Sequence, residues 1–365
     1  MLAPLVRADV PALSAPPAPA LATPAGARPP ACPRSSPGFA SAASVFPGFV
    51  IHGSGHLVNG CSGSGARLLW LELAGLGLIV TALAPAAVLG ANDYLVPIQA
   101  FLGMSGVALF SGSWLLDMYG SFVPTDARGS ERTRAPVLET QLGYRYIYDP
   151  IFDYRHFVVQ GFEWWHGSLR VMPRADFARE DMNARYSLPV AWRWFGATPE
   201  RAAPDGSFAE VQAAATHHGF PRDGFAVQTF EIGVESRLDL RQVDPEFSGT
   251  FAELGAGLGV NRYDYEAPGA GHDDNGLLLM GFALGAYFGD PDRRGGEVKL
   301  GYDHRHDDYA AGLKLSGVGS GAAGHFGLEA RGYWDRWGLL LDAQVGSAYL
   351  MGLSVLFRQG GSFGR

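Results

Sequence analysis

The chain has 365 residues, 47% of them hydrophobic, 12% aromatic and only 18% charged, with 50 glycines and a formal net charge of −8. This composition is too apolar for a disordered chain, and no Lys/Arg cluster is available to meet phosphates, which excludes nucleic acid as a partner. Glycine enrichment with aromatic enrichment suits a membrane barrel, whose crowded interior takes small residues and whose two interfaces take aromatic girdles.

Residues 1–44 are rich in Pro and Ala, with Pro11, Pro16, Pro17, Pro19, Pro24, Pro29, Pro30 and Pro33, and read as a disordered leader. Prolines interrupt every candidate apolar core of an export signal there, so a degenerate signal ending near Ala40–Ala43 is the expectation. Cys32 and Cys61 are too few for a thiolate zinc site; one disulfide and two unpaired thiols stand as alternatives.

Residues 45–120 read as an apolar helical hairpin. Runs at Ala66–Leu89 and Val96–Tyr119 are too long for strands, and Arg67 and Glu72 near one end are the only charges of the first. They follow Phe46-Pro47-Gly48, His52-Gly53-Ser54-Gly55-His56 and Asn59-Gly60. That arrangement resembles the Pro-Gly-x-Gly-His-x-x-x-Gly turn preceding a membrane helix hairpin in several small bacterial membrane-associated families. Two placements stay open: a hairpin on the periplasmic side or in the barrel mouth, and true inner-membrane spans carrying a soluble β-domain.

A polar linker at 121–137 separates this region from 138–358, where the apolar period changes to two. Ala252, Leu254, Ala256, Leu258 and Val260 oppose Glu253, Gly255, Gly257, Gly259 and Asn261. Phe230, Ile232 and Val234 oppose Glu231, Gly233 and Glu235, and Tyr186, Leu188, Val190 and Trp192 oppose Arg185, Ser187 and Arg193. The apolar faces end in Trp194, Tyr302, Trp334, Trp337, Tyr349 and Phe357, as girdles require. Thirteen segments qualify as strands, including 308–318. The weakest are 167–173 and 207–216, and an even number is required, so the expectation is a twelve-stranded antiparallel up-and-down transmembrane β-barrel, mainly β, with a tail at 359–365.

In the last segment Tyr349, Met351, Leu353, Val355 and Phe357 share one face. Gly352-Leu353-Ser354-Val355-Leu356-Phe357 resembles the C-terminal signal of bacterial outer-membrane β-barrel proteins. The resemblance implies an outer-membrane location, contact with membrane lipids and delivery by the barrel assembly machinery, and it identifies no particular family.

The inward face would carry Glu231, Glu235, Arg237, Asp239, Glu253, Lys299, Lys314, Glu329, Arg331 and Asp342, whose mixed sign favours pairing across the lumen over an open pore. His272-Asp273-Asp274 and His306-Asp307-Asp308 lie near connections two strands apart and form a speculative divalent-metal site, at the end where the last strand finishes. No nucleotide, P-loop or zincin motif points to a cofactor. The reading is a structural or narrow-pore barrel without catalysis. A membrane-edge lipid hydrolase using His156 or His166 is the alternative.

Overall fold

The computed structural model describes residues 37–360 apart from 90–94, 125–126, 131–133, 149–154, 181, 268, 270, 291–293, 305–312, 315–321 and 347. Four helices come first: α1 (Pro37–Val45), α2 (Ser54–Val58), α3 (Ser62–Leu89) and α4 (Val96–Phe122). The wall follows, with β1 (Leu138–Tyr148), β2 (His156–His166), β3 (Leu169–Val171), β4 (Arg174–Ala178), β5 (Ala184–Phe195), β6 (Phe208–Phe220), β7 (Phe225–Asp239), β8 (Thr250–Tyr265), β9 (His272–Asp290) and β10 (Arg294–Asp303). Beyond a two-stranded ribbon of β11 (Leu313–Lys314) and β12 (Ala322–Ala323), the wall is completed by β13 (His325–Trp334), β14 (Trp337–Val345) and β15 (Tyr349–Gln359).

Successive strands of the wall pair antiparallel, β10 directly with β13, and β1 pairs with β15 from Leu138↔Gln359 to Tyr148↔Tyr349, which closes the sheet. β3 and β4 both lie between β2 and β5 and act as one strand broken at Met172-Pro173. The barrel therefore has twelve strands. Closure leaves no unpaired edge, a condition for spanning lipid with strands.

The burial pattern is inverted relative to a soluble sandwich. Leu142, Ile232, Leu258 and Met351 are 61–63% exposed on the outer face, while Arg145, Arg193, Glu210 and Arg358 are buried within. A soluble β-domain on a membrane hairpin would show the reverse, so the fold is that of a transmembrane barrel.

Two sequence expectations change. The segment at 207–216 is an unbroken strand, β6; its weak signal comes from Ala213, Ala214 and Ala215, small residues that blur the alternation. Most of the expected strand at 308–318 lies outside the described residues; its described part, β11, pairs with β12 outside the barrel sheet, and β10 pairs directly with β13.

The helices are built on one turn. Asp117 of α4 accepts from the backbone N–H groups of Gly53 at 3.0 Å, Gly55 at 3.1 Å and His56 at 3.1 Å, and its Oδ1 lies 2.7 Å from His56 Nδ1. Glu72 of α3 accepts from the His52 N–H at 3.0 Å, and His52 Nδ1 bonds Ser113 Oγ at 2.6 Å. Gly120 is required beside this turn, because a Cβ there would stand 2.5 Å from the His56 ring. The hairpin base is fixed to the barrel rim: Asp244 accepts from Ser64 Oγ at 2.9 Å and from Arg67 at 2.5 Å, and Leu68, Leu116, Leu240 and Phe247 form one buried cluster. Cys61 is buried and disulfide-bonded; Cys32 lies outside the described residues.

Candidate functional site: the barrel lumen

Strand alternation sends every second side chain inward, and cross-strand partners share a face, so the register assembles the interior. Arg237 of β7 donates from Nε and Nη2 to Glu253 Oε1 of β8 at 2.8 and 2.5 Å, and from Nη1 to Glu297 Oε2 of β10 at 2.6 Å. Lys299 Nζ donates to Glu253 at 3.1 Å and lies 3.7 Å from Glu329, which accepts from Arg331 Nε at 2.9 Å. Arg331 reaches Glu139 of β1 at 4.0 Å, and Glu139 also accepts from the Tyr333 hydroxyl at 2.9 Å. The guanidinium of Arg237 lies 3.9 Å over the Phe251 ring, which further restricts it.

Two more clusters complete the interior. Glu210 of β6 takes Arg193 Nε of β5 at 2.9 Å and also accepts from Arg170 of β3, which stands 3.5 Å from Glu163. Arg145 of β1 donates to Asp176 of β4 at 3.1 Å and to Asp342 of β14 at 2.9 Å, so one guanidinium ties walls on either side of it. Glu231 and Glu235 line the same interior.

Of the charges expected on the inward face, the fold joins Arg237, Glu253, Lys299, Glu329, Arg331 and Asp342 to other charges. It adds Glu139, Arg145, Glu163, Arg170, Asp176, Glu210 and Glu297, which the sequence reading does not name, and Arg193, which that reading sets on the polar face of its segment without naming it as a lumen charge. The available signal was parity in β1, β2 and β6, where inward charges are flanked by outward apolar or small residues. Asp239, the last residue of β7, accepts from the Arg241 N–H at 3.1 Å and caps a 3-10 turn on the rim. Lys314 sits in the β11–β12 ribbon, outside the barrel wall.

Three cavities of about 420, 310 and 240 Å³ share Gln212 in their linings, and the two larger also share Glu235, Glu253, Lys299 and Glu329. The largest opens toward the rim where β1 begins and β15 ends, among Glu139, Arg170, Arg193, Arg237, Glu297 and Arg358. At the other rim the inward face turns apolar. Ile147, Phe157, Phe220, Val227 and Leu350, each at most 3% exposed, pack as one cluster contributed by β1, β2, β6, β7 and β15, with Phe225 and Tyr263 against it. Because β7 and β15 stand on opposite sides of the ring, this cluster narrows the mouth from both walls.

The proposed metal residues are divided. His272, Asp273 and Asp274 begin β9 on the exposed β8–β9 hairpin; Arg262 lies 3.7 Å from Asp274, and the Tyr265 hydroxyl donates to Asp273 at 3.1 Å. His306, Asp307 and Asp308 lie outside the described residues. Among the described residues no group of three His, Cys, Asp or Glu is placed to hold a metal ion. The 272 connection also stands at the rim opposite the end of the last strand. β10 pairs directly with β13, with no barrel strand from 308–318 between them, which sets this connection at the rim opposite to the one expected.

His156 faces outward, where Glu180 lies 3.3 Å from its Nε2 and the Tyr144 hydroxyl meets its Nδ1. His166 stacks on Trp164, with centroids 5.9 Å apart.

No family model and no curated protein matches the chain. Among solved structures it is similar to the KdgM porin in complex with disordered oligogalacturonate, at 5% identity over 60% of this chain and 98% of that chain, with a TM-score of 0.35. It is also similar to the outer membrane protein Omp33 of Acinetobacter baumannii (12% identity, 62% and 100% coverage, TM-score 0.30). A third is the translocator domain of the autotransporter NalP from Neisseria meningitidis (12%, 60% and 87%, 0.33). The resemblance is a general one to outer-membrane β-barrels; the closed twelve-stranded wall rests on this chain's own strand pairing.

Proposed function

We propose that the chain is a bacterial outer-membrane barrel with a narrow, porin-like lumen, closed at rest to all but the smallest hydrophilic solutes and without catalytic activity. The observation that carries this reading is the chord of ion pairs from Arg237 to Glu253 and Glu297, set beneath the apolar cluster at the opposite mouth. Paired charges keep the interior wet but obstructed, and a hydrophobic constriction resists wetting. Lumen-facing charges of both signs disfavour strong ion selectivity. The final strand, Tyr349–Gln359, supplies the surface offered to the barrel assembly machinery, and the exposed apolar belt is the surface offered to lipid.

Planar-bilayer recording of the refolded chain tests the proposal. Wild type should give small or rare conductance steps, and Arg237→Ala/Glu297→Ala should give larger ones. A wide, steady conductance in wild type, unchanged in the double variant, would refute it.

A further inference from the structure

Among the described residues, the helical hairpin has no protein partner over most of its surface. Stretches of 24 residues in α3 and 25 in α4, with mean hydropathy 1.8 and 1.3, are buried over only 22% and 11% of their most apolar windows. A core helix of a soluble domain of that hydropathy would be covered. At 1.5 Å per residue each helix runs roughly 40 Å, more than the roughly 30 Å of a hydrocarbon core. Val80, Leu83, Val88 and Ile98 project outward at 59–81% exposure. The two helices meet instead through small residues: a Cβ on Gly106 would stand 2.7 Å from the Gly75 carbonyl oxygen.

The charges lie at one end. Arg67, Glu72 and Asp117 are near the barrel rim, and neither helix carries a charged residue between Leu73 and Leu116. The base also indicates direction. The Tyr119 hydroxyl is 3.5 Å from the Gly249 carbonyl, at the foot of β8. One turn back along α4, Leu116 is buried in the cluster against which Ala252 and Leu284 pack. Ala252 and Leu284 face each other across β8 and β9 on the same outward face as Leu254 and Leu258. Moving from Tyr119 toward the start of α4 thus moves up the outer wall, and α4 packs on β9.

We infer that α3 and α4 lie in the same bilayer as the barrel, beside β8 and β9, with lipid acyl chains as their partner. This rests on the barrel reading above. Leu68 and Leu116 of the hairpin meet Ala252 and Leu284 of the outer wall in one apolar contact, so one hydrocarbon slab can cover both. The chain is then a mixed membrane protein in which a helical pair flanks the barrel.

Fluorophores attached at Leu83→Cys in α3 and, separately, at Leu258→Cys on β8 test this in the full chain reconstituted into phosphatidylcholine vesicles. Labelled wild type sets the background, and a heat-modifiable shift on unboiled gels first establishes that each variant is folded. Brominated acyl chains in the same vesicles should quench both sites, and aqueous iodide should quench neither. Quenching at Leu258 with iodide access at Leu83 would overturn the inference and leave the barrel standing. So would quenching of Leu83 by brominated lipid supplied in a second vesicle population, since that places the hairpin in an opposing bilayer. Failure at both sites would overturn the barrel reading itself.

Discussion

Arg237 on β7 reaches Glu297 on β10 at 2.6 Å although β8 and β9 stand between their strands. The contact is a chord of the barrel rather than a rung of the sheet, so it holds the cross-section as well as the wall. Glu297→Ala leaves a guanidinium with half its partners, and breaking one side of a buried pair costs about 3–5 kcal/mol where no water replaces it. In this hydrated lumen the expected loss is at or below the lower end of that range. Denaturant unfolding in detergent should show it, and Arg237→Ala/Glu297→Ala should lose less than the sum of the single variants.

The apolar cluster at the opposite mouth makes a separate prediction. Phe157 and Phe220 are fully buried there. Phe220→Ala should destabilise the fold by about 3 kcal/mol or more through the cavity it leaves. It should also raise single-channel conductance in a planar bilayer, because the constriction widens and wets. Phe230→Ala, on the outer face of the neighbouring strand, should leave conductance unchanged.

Asp117 holds the helical turn. Replacing it with Ala strands the N–H groups of Gly53, Gly55 and His56, each worth about 1–3 kcal/mol when buried without a partner. Hydrogen exchange over residues 52–58 should accelerate strongly in Asp117→Ala. Exchange in β1 and β2, across the ring from β8 and β9, should stay as in wild type.

The rim loop between β5 and β6 carries a pH dependence. Burial alone would raise the Asp205 carboxyl. Hydrogen bonds from Gln242 and Ser207, with Arg241 nearby, outweigh it and hold the carboxyl below the usual carboxylate range. A depressed folded value means the unfolded chain binds the proton more readily, so the contribution is complete above the unfolded carboxylate range near pH 4. It is lost as pH falls through the folded value. Exchange protection of residues 205–207 and 240–242 should therefore weaken on acidification, and Asp205→Asn should flatten that response.

Much of the barrel was legible because alternation is a local property. Ala252 to Val260 and Tyr349 to Phe357 declare their faces from spacing alone, and the structure exposes Leu254, Leu258, Met351 and Leu353 as that spacing requires. Partnerships across the lumen were not legible. Glu297 and Arg237 are sixty residues apart, and only strand order and register bring them within reach. Small residues hid β6, where Ala213 and Ala215 stand outward in place of larger apolar side chains, and with it Glu210. Reading 308–318 as a barrel strand, where β10 pairs directly with β13, sets the 272 connection at the wrong rim, although it alters no residue's inward or outward face.

The break at Met172-Pro173 has a mechanical consequence. Pro173 accepts from Phe162 N–H at 3.1 Å and Pro189 accepts from Met172 N–H at 2.9 Å, yet neither proline can return a donor. The split stave of β3 and β4 therefore lacks one rung toward each neighbour, at nearly the same height. Under lateral pressure from the bilayer, or during insertion, this seam leans on its side chains in place of the lost rungs: Arg170 of β3 is tied to Glu163 and Glu210, and Asp176 of β4 to Arg145.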